Sequence, residues 1–113
     1  MSQNISRAEL ETLIASGAKS TLVEALPRKY YEVGHLPGAI NIPHDEVQAI
    51  ASRLIPDKSG SVIVYCANST CRNSHIAAET LRELGYSRVY EYTEGKKGWK
   101  EAGLPLDTDG GAE

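Results

Sequence analysis

The sequence predicts one α/β domain with a parallel sheet covered by helices on both faces. Short apolar strands alternate along the chain with segments of helical periodicity, which is typical of that class. The segment Ser61–Tyr65 is apolar and β-branched in its interior, which indicates a central strand buried on both faces. The 113 residues are the usual size of a single domain. We therefore expect one domain over residues 1–106, followed by a short, flexible acidic tail over residues 107–113.

The first half of the chain is expected to supply two helices and two strands. Ser6 followed by Glu9 has the pattern of a capping box, so a helix should begin there and end near Gly17. The other elements of this half are a strand over Thr21–Glu24, a loop from Pro27 to Gly38, a strand over Ala39–Ile42, and a short helix capped by Asp45 with apolar positions at Val47, Ile50 and Leu54.

The second half repeats this alternation after the central strand. A polar loop from Cys66 to about Arg72 should lead into a helix that ends at Leu84, because Gly85 follows. One face of that helix is expected to be apolar, with Ile76, Ala77, Thr80, Leu81 and Leu84. A last strand over Arg88–Tyr92 and a short helix over Gly98–Ala102 complete the domain.

Composition and charge exclude several classes of partner. With 12 Lys and Arg against 15 Asp and Glu, the net charge of −3 gives no overall attraction to nucleic acid or anionic membrane, so neither is expected as a partner. No apolar run approaches the roughly 20 residues of a membrane helix. The polar segment Met1–Asn4 lacks the pattern of a signal peptide, so the expected location is cytoplasmic. Two cysteines are too few for a disulfide framework, and the three histidines lack metal-ligand spacing, so we expect no metal and no cofactor.

Cys66 is the candidate nucleophile. It directly follows the central strand, and in open α/β sheets binding sites form at the carboxyl ends of strands. Inward-turned amides of the next residues, with the N-terminus of the following helix, should lower the pKa of the thiol and bind an oxyanion. Arg72 would add a fixed charge. Two alternatives stay open: a buried structural thiol at Cys66 and a solvated arginine at Arg72. The candidate anion-binding loop consists of Ala67, Asn68, Ser69, Thr70, Cys71 and Arg72.

Four motifs in sequence order resemble those of single-domain rhodaneses, the rhodanese-like sulfurtransferases. The segment Gly34–Pro43, Gly-His-Leu-Pro-Gly-Ala-Ile-Asn-Ile-Pro, is similar to the amino-terminal signature of the family, and Val62–Cys66 resembles its strand and active-site cysteine. The helix behind the loop and the closing signature are matched by Ala77-Ala78, Leu81, Gly85-Tyr86, Glu94-Gly95, Trp99 and Ala102-Gly103-Leu104-Pro105-Leu106. The resemblance extends roughly from Leu22 to Leu106.

The resemblance implies a five-stranded parallel sheet and a sulfurtransferase. It implies that Cys66 accepts a sulfane sulfur as a persulfide, which the amides of residues 67–72 stabilise. The donor would be thiosulfate or a similar small molecule, sulfite would leave, and a thiol or cyanide would then take the sulfur. This is covalent catalysis in two half-reactions. A thioredoxin- or glutathione-type reductant is the candidate protein or thiol partner.

Two departures from the family concern charge and loop length. The family usually has Asp-Val-Arg after its first strand, whereas this chain has Glu24-Ala25-Leu26, so any bonding by that arginine is lost or supplied elsewhere. Arg72 stands six residues after Cys66, one more than in the common loop. The enlarged loop resembles that of rhodanese-fold thiol phosphatases and some arsenate reductases, which is the alternative function, using Cys66 and Arg72. Against it, residues 66–72 include no Asp or Glu as a general acid, and Tyr65 stands where those phosphatases often have histidine.

The third departure is Cys71, a second thiol within the loop. It could act as a resolving thiol that attacks the Cys66 persulfide and leaves a disulfide, or it could protect Cys66 from over-oxidation. A non-enzymatic redox sensor or binding module built on Cys66 and Cys71 is a further alternative. The remaining interpretation is that Cys71 packs as a small apolar residue.

The histidines and two lysines are weaker candidates. His35, in the Gly-His-Leu-Pro-Gly segment, is expected to be a structural hydrogen-bonding group. His44 and His75 are expected at the surface, with His75 near the site. Lys96 and Lys97 form a small positive patch that could attract an anionic donor, although a solvated turn explains them equally well.

Overall fold

Five parallel strands form one sheet with helices on both faces. The structure, a computed structural model, describes residues 3–15, 20–68 and 70–108. The elements in chain order are β1 (Gln3–Ile5), α1 (Arg7–Ala15), β2 (Ser20–Glu24), α2 (Arg28–Val33), β3 (Ile40–Asn41), α3 (Val47–Leu54), β4 (Ser61–Tyr65), α4 (Asn73–Glu83), β5 (Arg88–Tyr92) and α5 (Gly95–Glu101). The strand order is β1-β5-β4-β2-β3 and every pairing is parallel. The predicted α/β class with a five-stranded parallel sheet is therefore confirmed.

Strand β4 lies at the centre of the sheet, as its apolar run predicts. Val62 and Val64 pack on the side of α3 and α4, whereas Ile63 and Tyr65 pack on the side of α1 and α5. Side chains alternate between the two faces of a strand. This alternation returns the next side chain, that of Cys66, to the α4 side of the sheet.

The predicted capping box at the start of α1 is present. The backbone N–H of Ser6 donates to Oε1 of Glu9 at 2.8 Å, and the backbone N–H of Glu9 donates to Oγ of Ser6 at 3.1 Å. These two bonds satisfy amides that have no partner within the helix. The predicted helix end at Gly17 lies outside the described residues.

Several element predictions were wrong in detail. The segment from Pro27 to Gly38 was expected to be a loop, but it contains α2, none of whose residues is buried. A helix without a buried face shows no apolar periodicity, which is why the pattern did not indicate it. Asp45 does not cap α3, because the N-cap position is occupied by Glu46 and no side chain bonds there. Leu54 and Ile76, both expected to face the core, are exposed.

Among the described residues, the longest helix is α4, with 11 residues. In the described parts of the chain, none is long and apolar enough to cross a bilayer. Near the carboxyl end, Asp107 exchanges backbone hydrogen bonds with His35 at 2.8 and 2.9 Å. Asp107 is the first residue of the expected tail, and residues 109–113 of that tail lie outside the described residues.

Candidate active site

Cys66 lies directly beyond the carboxyl end of β4 and is 1% exposed. Contacts to its sulfur come from its own loop and from α4. Sγ is 3.5 Å from Oγ of Ser74 in the first turn of α4, 3.4 Å from the carbonyl oxygen of Cys71 and 4.0 Å from that of Asn68. The thiol is thus covered by its own loop and faces the beginning of α4, as the strand alternation requires.

The loop after Cys66 is held by an internal turn around Asn68. The side-chain oxygen of Asn68 accepts from the backbone N–H of Thr70 at 3.1 Å and from its hydroxyl at 2.7 Å. The carbonyl of Asn68 accepts from the N–H of Cys71 at 3.2 Å. The amides of Thr70 and Cys71 are therefore engaged within the loop, and stabilisation of a persulfide by loop amides stays a prediction. Ser69 lies outside the described residues.

Arg72 occupies the N-cap position of α4 and is exposed. Its backbone carbonyl accepts from the N–H of Ile76 at 3.0 Å, as the first helical bond requires. In the described part of the chain, no hydrogen bond or ion pair joins its guanidinium to Cys66. In this structure Arg72 therefore does not bind the sulfur.

Burial raises the pKa of the Cys66 thiol, which is contrary to the expectation of a lowered value. The adjacent thiol of Cys71 raises it further. The hydroxyl and the backbone N–H of Ser74 both bond to the sulfur and act in the opposite direction. The pKa-lowering effect expected of the helix N-terminus is thus present at Ser74, but desolvation of the Cys66 thiol outweighs it. The S–H of Cys66 faces the carbonyl oxygens of Asn68 and Cys71.

Cys71 is the second thiol of the site, and it is half-buried. Both cysteines are free in the structure, and the carbonyl oxygen of Cys71 lies 3.4 Å from Sγ of Cys66. The role of Cys71 as a resolving thiol stays a prediction.

A chain of polar side chains extends from Cys66 across the α4 face of the sheet. Oγ of Ser74 lies 3.4 Å from Oε2 of Glu91 on β5. The other carboxylate oxygen, Oε1, lies 3.3 Å from Nδ1 of His75. Ser74 and Glu91 are buried, whereas His75 is exposed. The sequence analysis placed His75 near the site but missed Ser74 and Glu91.

The backbone at the start of α5 supports the Cys66 loop from the other side. The N–H of Lys96 donates to the carbonyl of Cys66 at 3.0 Å, and the N–H of Lys97 donates to that of Ala67 at 2.9 Å. Gly95 has a φ of +64°, and a Cβ at this position would lie 2.5 Å from the carbonyl oxygen of Cys66. Only glycine therefore allows α5 to approach the loop this closely.

Beneath this support lies a buried polar cluster on the α5 face. Glu24 is 0% exposed; its Oε1 accepts from the hydroxyl of Tyr65 at 2.7 Å, and its Oε2 lies 2.8 Å from Nζ of Lys96. Burial raises the pKa of Glu24, while Lys96 and Tyr65 act to lower it. Lys96 is therefore an internal counter-ion and not part of a positive surface patch. The family has an arginine two residues after this acid, and the buried Leu26 occupies that position here. Lys96, from a distant part of the chain, pairs with the acid instead.

A cleft of about 380 Å³ opens beside the start of the loop at Ala67. Its walls combine apolar side chains, among them Val33 and Leu106, with the charged side chains of Lys96, Lys97, Lys100 and Glu101. Cys66 itself does not line it. The positive groups that an anionic molecule would meet near the loop are thus Lys97 and Lys100.

The remaining histidines do not reach the sulfur. His35 is the expected structural group: it is buried, its Nδ1 is 2.8 Å from the carbonyl of Tyr31, and its ring stacks on that of Tyr31 at 3.9 Å. His44 is half-buried, with Nδ1 enclosed, so the prediction of a surface position was wrong. Among the described residues, no three His, Cys, Asp or Glu side chains form a group that could hold a metal ion.

Comparison with known proteins gives a consistent family. The model of the rhodanese-like domain matches residues 6–102. An HTH-type transcriptional regulator of Mycobacterium tuberculosis is 36% identical over 103 residues, which cover 91% of this chain and 44% of the regulator. The thiosulfate sulfurtransferase PspE of Escherichia coli is 40% identical over 75 residues, 66% of each chain. The chain thus spans under half of the first relative and just under two thirds of the second.

A solved structure described as a rhodanese with anions, from E. coli, superposes with a TM-score of 0.67 at 33% identity. The superposition covers 80% of this chain and 100% of that chain. The similarity in sequence and the similarity in structure therefore point to the same fold.

Proposed function

The chain belongs to the rhodanese-like domain family, and on that basis we propose that it is a sulfurtransferase in which Cys66 carries sulfur as a persulfide. The observation that supports this most is the position of Cys66 at the carboxyl end of the central strand, with the hydroxyl and amide of Ser74 bonded to its sulfur. Among the similar proteins, one is named a thiosulfate sulfurtransferase and another a putative sulfur carrier protein.

In the first half-reaction the Cys66 thiolate attacks the outer sulfur of thiosulfate. A sulfur–sulfur bond forms to Cys66, the original sulfur–sulfur bond of thiosulfate breaks, and sulfite leaves with the electron pair of that bond. One negative charge on the thiolate becomes one negative charge on the persulfide, and the two charges of thiosulfate leave on sulfite. The step is nucleophilic displacement and needs no external oxidant.

In the second half-reaction an acceptor takes the outer sulfur. Cyanide or a thiolate attacks it, the persulfide bond breaks, and thiocyanate or a new persulfide leaves while Cys66 is restored as a thiolate. The donor and the acceptor are both anions, and the cleft beside Ala67 offers the ammonium groups of Lys97 and Lys100 to them. The description of a similar E. coli rhodanese with anions supports an anionic donor.

The carbonyl oxygens of Asn68 and Cys71 that now face the thiol would repel a persulfide anion. We therefore propose that sulfur transfer turns at least one of these peptides, so that an amide N–H replaces a carbonyl at the sulfur. The same movement exposes the sulfur, which is 1% exposed in the resting site.

The experiment is intact-protein mass spectrometry after incubation with thiosulfate. The wild type is expected to gain one sulfur atom, and Cys66→Ser is expected to gain none. Cys71→Ser is the matched variant, because it removes the other thiol of the site and should still load one sulfur. If the Cys66→Ser variant gains a sulfur atom, the assignment of Cys66 as the nucleophile is wrong. An unloaded wild type with reactive Cys66 would favour oxyanion chemistry, tested with an aryl phosphate and with arsenate.

The position of Cys71, whose carbonyl oxygen lies 3.4 Å from Sγ of Cys66, favours a second candidate function, redox regulation of the same site. The Cys71 thiolate would attack the inner sulfur of the Cys66 persulfide, form the Cys66–Cys71 disulfide and release hydrosulfide. Two electrons from a thioredoxin- or glutathione-type thiol would then reduce the disulfide. Mass spectrometry under non-reducing conditions distinguishes the two states, since the disulfide lacks two hydrogens. A stable persulfide with no disulfide after prolonged incubation would argue against this role.

A further inference from the structure

We propose that Ser74 and Glu91 take up the proton that Cys66 releases when its sulfur becomes a nucleophile, with His75 holding the outer oxygen of the Glu91 carboxylate. This inference rests on the proposed function, because it concerns how the same sulfur is activated. Neither Ser74 nor Glu91 belongs to the motifs that carry the resemblance to the family.

The geometry provides a continuous path from the sulfur to the surface. Cys66 Sγ and Ser74 Oγ are 3.5 Å apart, Ser74 Oγ and Glu91 Oε2 are 3.4 Å apart, and Glu91 Oε1 and His75 Nδ1 are 3.3 Å apart. A serine hydroxyl can accept and donate at the same time, so Ser74 can pass a proton between the sulfur and the carboxylate. These separations are at the long end of hydrogen bonding, as is common before substrate binds.

The proton path has a function because it keeps the net charge of the buried site constant. A carboxylate on Glu91 and a thiolate on Cys66 would place two negative charges in one buried region, which like-charge repulsion and desolvation both oppose. Transfer of one proton from Cys66 to Glu91 avoids the presence of both negative charges at once. The S–H bond of Cys66 breaks as an O–H bond forms at Ser74, and the former hydroxyl proton of Ser74 forms an O–H bond at Glu91 Oε2. One negative charge remains throughout, first on the carboxylate and then on the sulfur.

The same path operates in reverse in the second half-reaction. When the acceptor removes the outer sulfur, Cys66 is left as a thiolate in a buried site. Glu91 returns its proton through Ser74, so that the thiol and the carboxylate are both restored. No proton has to cross the covered loop in either direction.

The other charged groups near the path do not replace it. Cys71 on the loop and His75 on α4 are titratable groups that contact Cys66 and Glu91, respectively. The buried lysine of the site, Lys96, is paired with Glu24 on the opposite face of the sheet. Among the described residues, the ion pair that Glu91 forms is the one with His75.

The test is the pH dependence of alkylation at Cys66 by iodoacetamide, followed peptide by peptide so that Cys71 is scored separately. A thiol that ionises directly into solvent reacts about tenfold faster per pH unit below its pKa. Internal transfer to Glu91 instead gives the wild type a rate that changes little through the neutral range. A tenfold rise per pH unit in the wild type would overturn the proposal, and this measurement requires no variant to fold.

Ser74→Ala and Glu91→Gln are expected to react about 100-fold more slowly near neutral pH, with the deficit shrinking by about tenfold per pH unit above that. Glu91→Gln also removes a buried negative charge, which by itself favours the thiolate. A purely electrostatic role for Glu91 therefore predicts faster alkylation, and a purely structural role predicts a deficit that is the same at every pH. Either result would overturn the proposal. Glu79→Gln, which removes an acid of α4 paired with Arg82, is the matched control and should keep the wild-type profile.

Thiosulfate loading of the same samples separates this inference from the proposed function. A wild type that shows the flat alkylation profile but gains no sulfur would retain the proton path and contradict sulfur transfer. A wild type that loads sulfur on Cys66 while both variants keep its alkylation profile would retain sulfur transfer and contradict the proton path.

Discussion

Replacing Lys96 by methionine is expected to destabilise the fold by about 3–5 kcal/mol at neutral pH, the usual cost of removing one partner of a buried ion pair. Glu24 is 0% exposed and the side chain of Lys96 is 13% exposed, so solvent cannot compensate for the lost charge. Nζ of Lys96 is 2.8 Å from the carboxylate, and methionine keeps the bulk of the side chain without its charge. The loss of stability in Lys96→Met therefore measures the missing positive charge and not a cavity left by a smaller side chain.

This cost is a large fraction of the total stability of a domain, which is about 5–15 kcal/mol. For a chain of this size each kcal/mol shifts the midpoint of thermal unfolding by about 4 °C or more. Lys96→Met should therefore unfold at least about 12 °C below the wild type. Lys97→Met is the matched control, because Lys97 is the exposed neighbour in the same helix, and its loss should change stability by less than about 0.5 kcal/mol.

The destabilisation should depend on pH in a definite direction. Burial already raises the pKa of Glu24 above its unfolded value, and removal of Lys96 raises it further. An acid whose pKa is raised by folding stabilises the fold below its unfolded pKa, and this contribution is lost as the pH rises through the folded pKa. The deficit of Lys96→Met should therefore be largest near neutral pH and should shrink as the pH falls and Glu24 becomes protonated.

Urea unfolding monitored by the fluorescence of the buried Trp99 measures these free energies at a neutral and at a mildly acidic pH. The double variant Lys96→Met with Glu24→Gln removes both charges and should recover most of the lost stability. If Lys96→Met is as stable as Lys97→Met at neutral pH, or if its deficit is independent of pH, the assignment of Lys96 as the counter-ion of Glu24 is wrong.

Three further substitutions test single contacts of the fold, two next to the site and one at the start of α1. Gly95→Ala places a Cβ 2.5 Å from the carbonyl of Cys66 at a positive φ, so thermal unfolding should show a loss of about 1–3 kcal/mol, and sulfur loading measured by mass should slow. Tyr65→Phe removes the hydroxyl that donates to Glu24 and should cost about 1–3 kcal/mol in urea unfolding. Ser6→Ala removes the cap of α1 and should cost about 1 kcal/mol while sulfur loading is unchanged.

The parts of the fold that the sequence predicts well are those with a strong local pattern. The apolar run of β4 and the glycine that ends α4 are both found where expected, and Gly85 has the positive φ of 102° that such an end requires. The parts that were missed have no such pattern. Helix α2 buries none of its residues, and β1 has three residues and is recognisable only through its pairing with β5.

The candidate site divides in the same way. The place of Cys66 follows from local order, because a strand, a small-residue loop and a helix are consecutive in the chain. The partner of Glu24 does not follow from local order, because Lys96 is 72 residues further along the chain and contacts Glu24 only in the folded protein. Glu91 gave a local signal that was overlooked: a charged residue in the interior of an inner strand is expected to be buried, and a buried carboxylate requires partners.

The two buried carboxylates differ in a way that assigns them different tasks. Glu24 lies on the α5 face and is paired with Lys96, so its charge is balanced and it can hold the start of α5 beneath the Cys66 loop. Glu91 lies on the α4 face, where its partners are the hydroxyl of Ser74 and the imidazole of His75. Glu91 contacts a hydroxyl and an imidazole, two groups that can pass a proton, whereas Glu24 contacts the ammonium group of Lys96 and the phenol of Tyr65. Because alternation along β4 directs Cys66 to the α4 face, the sulfur meets the carboxylate to which the proposed proton path leads.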